Sequence, residues 1–229
     1  MAPPADNPLT NLTSIAIDGP VASGKTTVGR IVARRLGFRF LDTGLMYRAV
    51  TWVALQRDIG LEDGDALAAM AEGLTMDLVP GAGDDRLLAD GEDVTERLRD
   101  PKVDAGVSFV SRVSGVRTVL VKGQREMAER DDFVMVGRDI GTVVLPNAGL
   151  KVYLGASVEL RARRRHHEIA KEAGEALPYK QVLADLTRRD RIDSERADSP
   201  LRAAPDAISV ETDDLDIAGV VERILGMVE

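Results

Sequence analysis

Apolar residues follow two rhythms along this chain, and the changes between them mark its elements. Ile15-Ala16-Ile17 is a short continuous apolar run closed by Asp18-Gly19-Pro20, the pattern of a buried strand meeting a glycine turn. From Lys25 the period becomes helical, with Val28, Ile31, Val32 and Leu36 on one face and Gly37 as the stop. Phe38–Leu41 reads as a second strand, and Leu45–Leu55 as a helix packing Met46, Ala49, Val50 and Val53. Residues 58–105 change character. They are acidic, hold a Pro80-Gly81 break, and carry a small hairpin at Leu87–Glu92 around an Asp-Gly turn. One helical stretch is expected over about 103–130. Strands are expected at Phe133–Val136, Val152–Leu154 and Ile208–Val210. The last helix has Ile217, Val220, Val221, Ile224, Leu225 and Val228 on one stripe, with Asp213 or Asp214 as its cap.

Five strands alternating with helices imply an α/β fold with a parallel sheet covered on both faces. A chain of 229 residues with 44% hydrophobic and 30% charged residues suits one large domain and is too apolar for disorder. No apolar run is long enough to cross a membrane, and the first fourteen residues lack the cationic and apolar parts of a signal peptide. Without cysteine there is no disulfide, thiolate metal site or cysteine nucleophile, so a cytoplasmic protein is expected. A net charge of −8 argues against a nucleic-acid polymer as partner. The 24 arginines against 6 lysines fit phosphate-binding guanidinium forks, and fit a base-composition bias as well. Position has to decide between them.

Chemistry enters at Gly19-Pro20-Val21-Ala22-Ser23-Gly24-Lys25-Thr26, which matches G-x-x-x-x-G-K-[ST] at every position and is followed by Thr27. Its glycines let successive N–H groups turn into one anion-binding concavity at a helix start. Lys25 suits the β- and γ-phosphates of a nucleoside triphosphate, and the Thr26 hydroxyl suits Mg²⁺. The base-reading N-K-x-D of GTPases is absent, because Asn7, Asn11 and Asn147 are the only asparagines and none precedes a lysine. Size, inserted segment and a late arginine-dense segment point to a small phosphotransferase.

Five separated stretches carry a closer likeness. They are Ile15–Pro20, Leu41–Val50 (LDTGLMYRAV), Asp90–Thr95 (DGEDVT), Gly137–Val144 (GRDIGTVV) and Arg189–Ser194 (RDRIDS). In this order they resemble the bacterial cytidylate kinases, from about residue 14 to the end. The resemblance implies a P-loop kinase core with a five-stranded parallel sheet flanked by helices. That core would take 14–57, 106–156 and 206–229, with a monophosphate-binding insertion at about 58–105 and a helical lid at about 157–205. Residues 1–13 would be a disordered extension. It further implies Mg²⁺-assisted transfer from ATP to CMP or dCMP; nothing in the sequence demands a partner, so a monomer is expected. Residue by residue, Lys25, Arg138 and Arg196 would be catalytic. Arg48 and Arg138 would take the acceptor phosphate, and Ser108, Arg117 and Asp139 the cytosine. Arg189 and Asp193 would take the ribose, with Thr43 and Tyr47 lining the pocket.

Two positions depart from the family pattern: Val136 stands where an acid is usual, and Ile192 where an arginine is frequent. Arg161–Arg165 read as a solvated helix face, His166 and His167 as surface residues, and Trp52 as core. The alternatives are a kinase of the same architecture acting on UMP, AMP or shikimate, and a catalytically silent nucleotide sensor.

Overall fold

The structure is a computed structural model that describes residues 12–81, 85–173 and 177–228. The extension expected at 1–13 lies outside the described residues except for its last two. In chain order the elements are β1 (Ser14–Asp18), α1 (Lys25–Leu36), β2 (Arg39–Asp42), α2 (Thr43–Gln56), α3 (Gly64–Glu72), β3 (Met76–Val79), β4 (Arg86–Ala89) and β5 (Glu92–Asp93). They continue with α4 (Pro101–Val110), α5 (Ser114–Ala128), β6 (Phe133–Gly137), β7 (Leu150–Gly155), α6 (Val158–Ala173), α7 (Tyr179–Glu195), β8 (Ile208–Glu211) and α8 (Ile217–Leu225). The expected parallel sheet is there with five strands, in the order β2-β6-β1-β7-β8.

The chain forms two compact units, one from the described residues up to Phe38 and from Asp132 onward, the other from Arg39–Asp131. In the first unit β1 runs parallel between β6 and β7, with Ile17 beside Val136 and Val152. Ile15, Ala16 and Ile17 are wholly buried, as a central strand covered on both faces requires. The same register sets Asp18 beside Gly137 and Tyr153. The carboxyl ends of neighbouring strands therefore deliver two loops to one place, the position where open α/β sheets bind ligands.

The second unit corrects several expectations. The helix expected over about 103–130 is two helices, α4 and α5, parted at Ser111–Val113. Asp100 caps α4 by accepting from Lys102 N, and Pro101 occupies the first turn, where its missing N–H costs nothing. Ser111 and Val113 close α4 through bonds to Val107 O and Val110 O, and the Arg117 side chain donates to Ser111 O. The acidic segment also contains α3, whose Leu67, Met70 and Ala71 form a buried i, i+3, i+4 stripe behind the Asp63 cap. A third strand, β3, joins the expected hairpin. In the first unit, α8 is capped by Asp216. Asp213 is occupied elsewhere, accepting from Ser157 N at the start of α6.

Candidate active site

The glycine loop leaves β1 and enters α1. Gly19 has no alternative, since a Cβ there would lie 2.5 Å from the Leu154 carbonyl oxygen. Ala22 (φ 60°) and Gly24 (φ 94°) adopt left-handed backbone, and alternation of this kind turns successive N–H groups to one side. Three of the loop's carbonyl oxygens are each met by a cation. Lys25 Nζ donates to Pro20 O at 3.0 Å, Arg161 Nη1 to Val21 O at 3.2 Å, and Arg164 Nη1 to Ser23 O at 3.3 Å. Lys25 is buried, Thr26 half-buried in the first turn of α1, and Thr27 exposed.

Beside this loop stands the Gly137-Arg138-Asp139 turn, tied to it from below. Asp18 is 3% exposed, and its two carboxylate oxygens accept from Ile140 N at 2.7 Å and Gly141 N at 2.8 Å. Burial pushes its carboxyl up to about 6, against the pull of those two N–H donors. Gly19 N donates to Gly137 O as a second tie. Arg138 pairs with Asp193 on α7. Arg196, just past the end of α7, lies 3.8 Å from Asp139 and 4.0 Å from Asp193, with only 6% of its side chain exposed. Arg189 lies one turn before Asp193 on α7 and shares its face. The first unit thus gathers Arg138, Asp139, Asp193 and Arg196 into one charge cluster, buried except at Arg138, with Arg189 one turn away on α7.

The second unit gathers another set. Arg48 on α2 donates to Leu98 O at 3.1 Å and to Asp104 Oδ1 at 2.5 Å. Asp104 is one turn before Ser108 on α4. The Arg117 guanidinium lies 5.4 Å from the centre of the Tyr47 ring, a cation–π contact, and donates to Ser111 O. Thr43, Tyr47 and Arg117 are buried, and Asp42 caps α2 by accepting from Gly44 N. Side chains of α2, α4 and α5 therefore make two polar contacts on a helical scaffold, Arg48 with Asp104 and Arg117 with Tyr47.

Some residues stand elsewhere than their sequence context suggests. Arg161 and Arg164 are not solvated: Arg161 is 5% exposed, and Arg164 also donates to Thr212 Oγ1 and Thr212 O. The reason is their spacing, since i and i+3 on α6 put both on the face that meets the glycine loop. His167 is exposed, as expected of a surface residue, whereas His166 is half-buried edge-on to Tyr179, because neighbours on a helix point to different faces. Trp52 is only partly buried on α2. Val136 is fully buried in β6 and offers no oxygen to a metal. Asp18, considered from the sequence as a helper at Mg²⁺ beside Thr26, instead accepts from two backbone N–H groups, and the sequence gives Asp104, Arg161 and Asp190 no role at the site. No local spacing marks them, because each acts through a partner distant in the chain.

Residues 15–229 match the family model of cytidylate kinase. Among curated proteins, the cytidylate kinase of Bacillus licheniformis is 46% identical over 216 residues, covering 94% of this chain and 95% of that one. The cytidylate kinase of an Exiguobacterium species is 47% identical over 215 residues, covering 94% and 96%. A bifunctional pantoate ligase/cytidylate kinase from a Synechococcus species is 48% identical over 214 residues; these are 92% of this chain and only 39% of that protein. An uncharacterized protein from Eubacterium ventriosum is similar in fold, with a TM-score of 0.52 at 12% identity, over 94% of this chain and 97% of that one.

Proposed function

The chain belongs to the cytidylate kinase family, and on that premise we propose that it transfers the γ-phosphoryl group of ATP to the phosphate of CMP or dCMP. The observation that carries this reading is the bonding of Asp18 to Ile140 N and Gly141 N. It fixes the turn bearing Arg138 against the loop bearing Lys25, so a donor-side cation and an acceptor-side cation are held in one frame. Phosphoryl transfer asks little covalent chemistry of a protein; it asks for positioning and for neutralised charge. Lys25 and backbone N–H groups of the loop hold the triphosphate, with Gly19 and Pro20 shaping its turn. Arg48 and Arg138 hold the acceptor phosphate, and Arg196 faces the group in transit. Asp193 and Arg189 take the ribose, with Thr43 and Tyr47 lining the acceptor pocket.

Cytosine recognition follows from donor and acceptor signs. A carboxylate at Asp139 accepts from the N4 amino group, while Arg117 donates to the ring acceptors, with Ser108 adaptable beside them. In uracil the carboxylate would face O4 and the guanidinium N3–H, a mismatch at each. Two buried mismatches of about 1–3 kcal/mol each favour CMP by roughly 10²–10⁴ in kcat/KM.

For Mg²⁺, the donor chemistry fits an ion that arrives with the nucleotide. Among the described residues no cluster of three or more His, Cys, Asp or Glu is placed to hold one, and both Asp18 oxygens are taken by backbone N–H groups. The Thr26 hydroxyl in the first turn of α1 is the hard oxygen ligand such an ion prefers. Bound there with ATP, Mg²⁺ neutralises charge on the phosphate oxygens. No helix among the described residues is long and apolar enough to cross a membrane; action as a cytoplasmic monomer belongs to the same proposal, as do the insertion at about 58–105 and the lid at about 157–205. ADP release from ATP tests the reading, run in parallel with CMP, dCMP, UMP, AMP and no acceptor. Fast release with the cytidylates alone is expected. Preference for AMP or UMP overturns the cytosine assignment, and no release with any acceptor makes the chain a sensor.

A further inference from the structure

Arg161 and Asp190, outside the binding set, together bear on the glycine loop. Arg161 of α6 is inserted behind it with 6% of its side chain exposed. Four of its five N–H groups are engaged: Nε donates to Ala156 O at 3.0 Å, and Nη1 donates to Val21 O and to Asp190 Oδ1, both at 3.2 Å. Nη2 donates to Asp190 Oδ2 at 2.6 Å. Asp190 belongs to α7. Val21 itself packs against the apolar cluster of Ala162, Val182 and Leu186 that joins α6 to α7. One loop residue is thus gripped twice, by its side chain in the α6–α7 core and by its carbonyl on Arg161.

The chemistry of a phosphate site gives this grip a purpose. A peptide carbonyl aimed at a triphosphate repels it, whereas the N–H of the same region attracts it. Holding Val21 O on a cation fixes the carbonyl away from the phosphates. The cation is tolerated there only because Asp190 neutralises it; a buried guanidinium without its carboxylate is costly and leaves.

We propose that Arg161 and Asp190 are positioning residues for the triphosphate, setting the glycine loop in its phosphate-binding conformation without touching the nucleotide. This rests on the reading that the glycine loop holds ATP. Asp190 stands one turn before Asp193, the partner of Arg138, so α7 presents one carboxylate to the donor loop's brace and the next to the acceptor-side arginine.

Three variants of the full chain test it: Arg161→Ala, the nearly isosteric Asp190→Asn, and Arg161→Lys. The readouts are KM for ATP, KM for CMP, direct binding of a non-hydrolysable ATP analogue without CMP, and thermal unfolding. Arg161→Ala is expected to weaken analogue binding and raise KM for ATP roughly ten- to a hundredfold, the worth of a charge-assisted bond. Asp190→Asn should raise it about three- to tenfold, and Arg161→Lys should recover part of the loss by making one of the two bonds. KM for CMP should stay within about twofold throughout. Equal losses for both substrates, or a lowered melting temperature with unchanged analogue binding in folded Asp190→Asn, would overturn the proposal. Lys25→Ala separates the underlying reading: if it too leaves analogue binding unchanged, the loop does not hold ATP at all. If it abolishes binding while Asp190→Asn and Arg161→Ala do not alter it, only the positioning role is lost.

Discussion

In the first unit the arginines meet carboxylates deep in the protein: Arg161 and Arg196 each keep only 6% of the side chain exposed, beside Asp190, Asp139 and Asp193. In the second unit Arg48 keeps 25% exposed beside a half-buried Asp104, and Arg117 is held by a backbone carbonyl and a tyrosine ring. Breaking a buried pair leaves an unpaired charge and costs about 3–5 kcal/mol, whereas a partly exposed pair is worth about 0–1 kcal/mol. The first unit is therefore a network of buried pairs in which each carboxylate matters, and the second is a packed helical scaffold on which single polar contacts can be tuned.

The sharpest break of the donor side is Lys25→Ala. It removes the loop's own cation from the phosphates and should cut the transfer rate by roughly a thousandfold or more. Thermal unfolding should change little, because Lys25 belongs to the loop, where it donates to Pro20 O, and adds no apolar side chain to the core. A variant that turns over near the normal rate would remove the loop from the mechanism.

Asp18 tests the same network through pH. Its folded carboxyl, near 6, stands above the ordinary 3.8 because burial disfavours the charged form. The folded chain thus binds that proton more tightly than the unfolded chain. The associated stability is complete below about pH 3.8 and lost as pH climbs through about 6, a loss of about 3 kcal/mol. Asp18→Asn carries a constant penalty, since an amide cannot accept from both Ile140 N and Gly141 N. Its stability should lack this proton-linked decline. Denaturant unfolding of both proteins from pH 4 to 7 measures the difference, and parallel curves would show that Asp18 does not titrate in this window.

The network of the first unit is legible in the sequence only where its parts are local. The glycine loop, the flanking strand and helix, and the Arg138-Asp139 turn announce themselves by period and motif. The Arg161–Asp190 and Arg138–Asp193 pairs do not, because pairing across 29 and 55 residues depends on how α6 and α7 fold back on the sheet. The same limit hid α3 inside an acidic segment, although its Leu67, Met70, Ala71 stripe was present to be counted. It also joined α4 and α5 into one helix, since their apolar periods run on across the break at Ser111–Val113. Asp213 is an equally good cap by residue type; it serves α6 because β8 ends beside Ser157, a tertiary fact.

On the acceptor side the expected effects are smaller. Arg48→Ala should raise KM for CMP roughly ten- to a hundredfold, the worth of a charge-assisted bond of about 1.5–3 kcal/mol, with KM for ATP little changed. Steady-state kinetics with each substrate varied in turn reads the split. A defect mainly in ATP would reverse the assignment of Arg48.

The finest adjustment concerns Asp104. Its carboxylate and Leu98 O take two N–H groups of Arg48 and fix the plane of the guanidinium. Two effects oppose each other when a phosphate binds. The pair pre-orients a long side chain whose rotamer freedom otherwise has to be lost on binding, and this lowers KM. The carboxylate also repels the incoming phosphate, and this raises it. The pair is a quarter exposed, so water screens the repulsion, while the orientation persists through two bonds. Orientation should therefore win by a little: Asp104→Ala should raise KM for CMP about two- to fivefold, well short of Arg48→Ala. Asp104→Asn, which keeps an oxygen acceptor and loses the charge, should match or slightly improve on the parent. If Asp104→Ala instead lowers KM for CMP, repulsion dominates and Asp104 acts as a brake on the acceptor site. The double variant Arg48→Ala/Asp104→Ala closes the cycle, and should lose no more than Arg48→Ala alone.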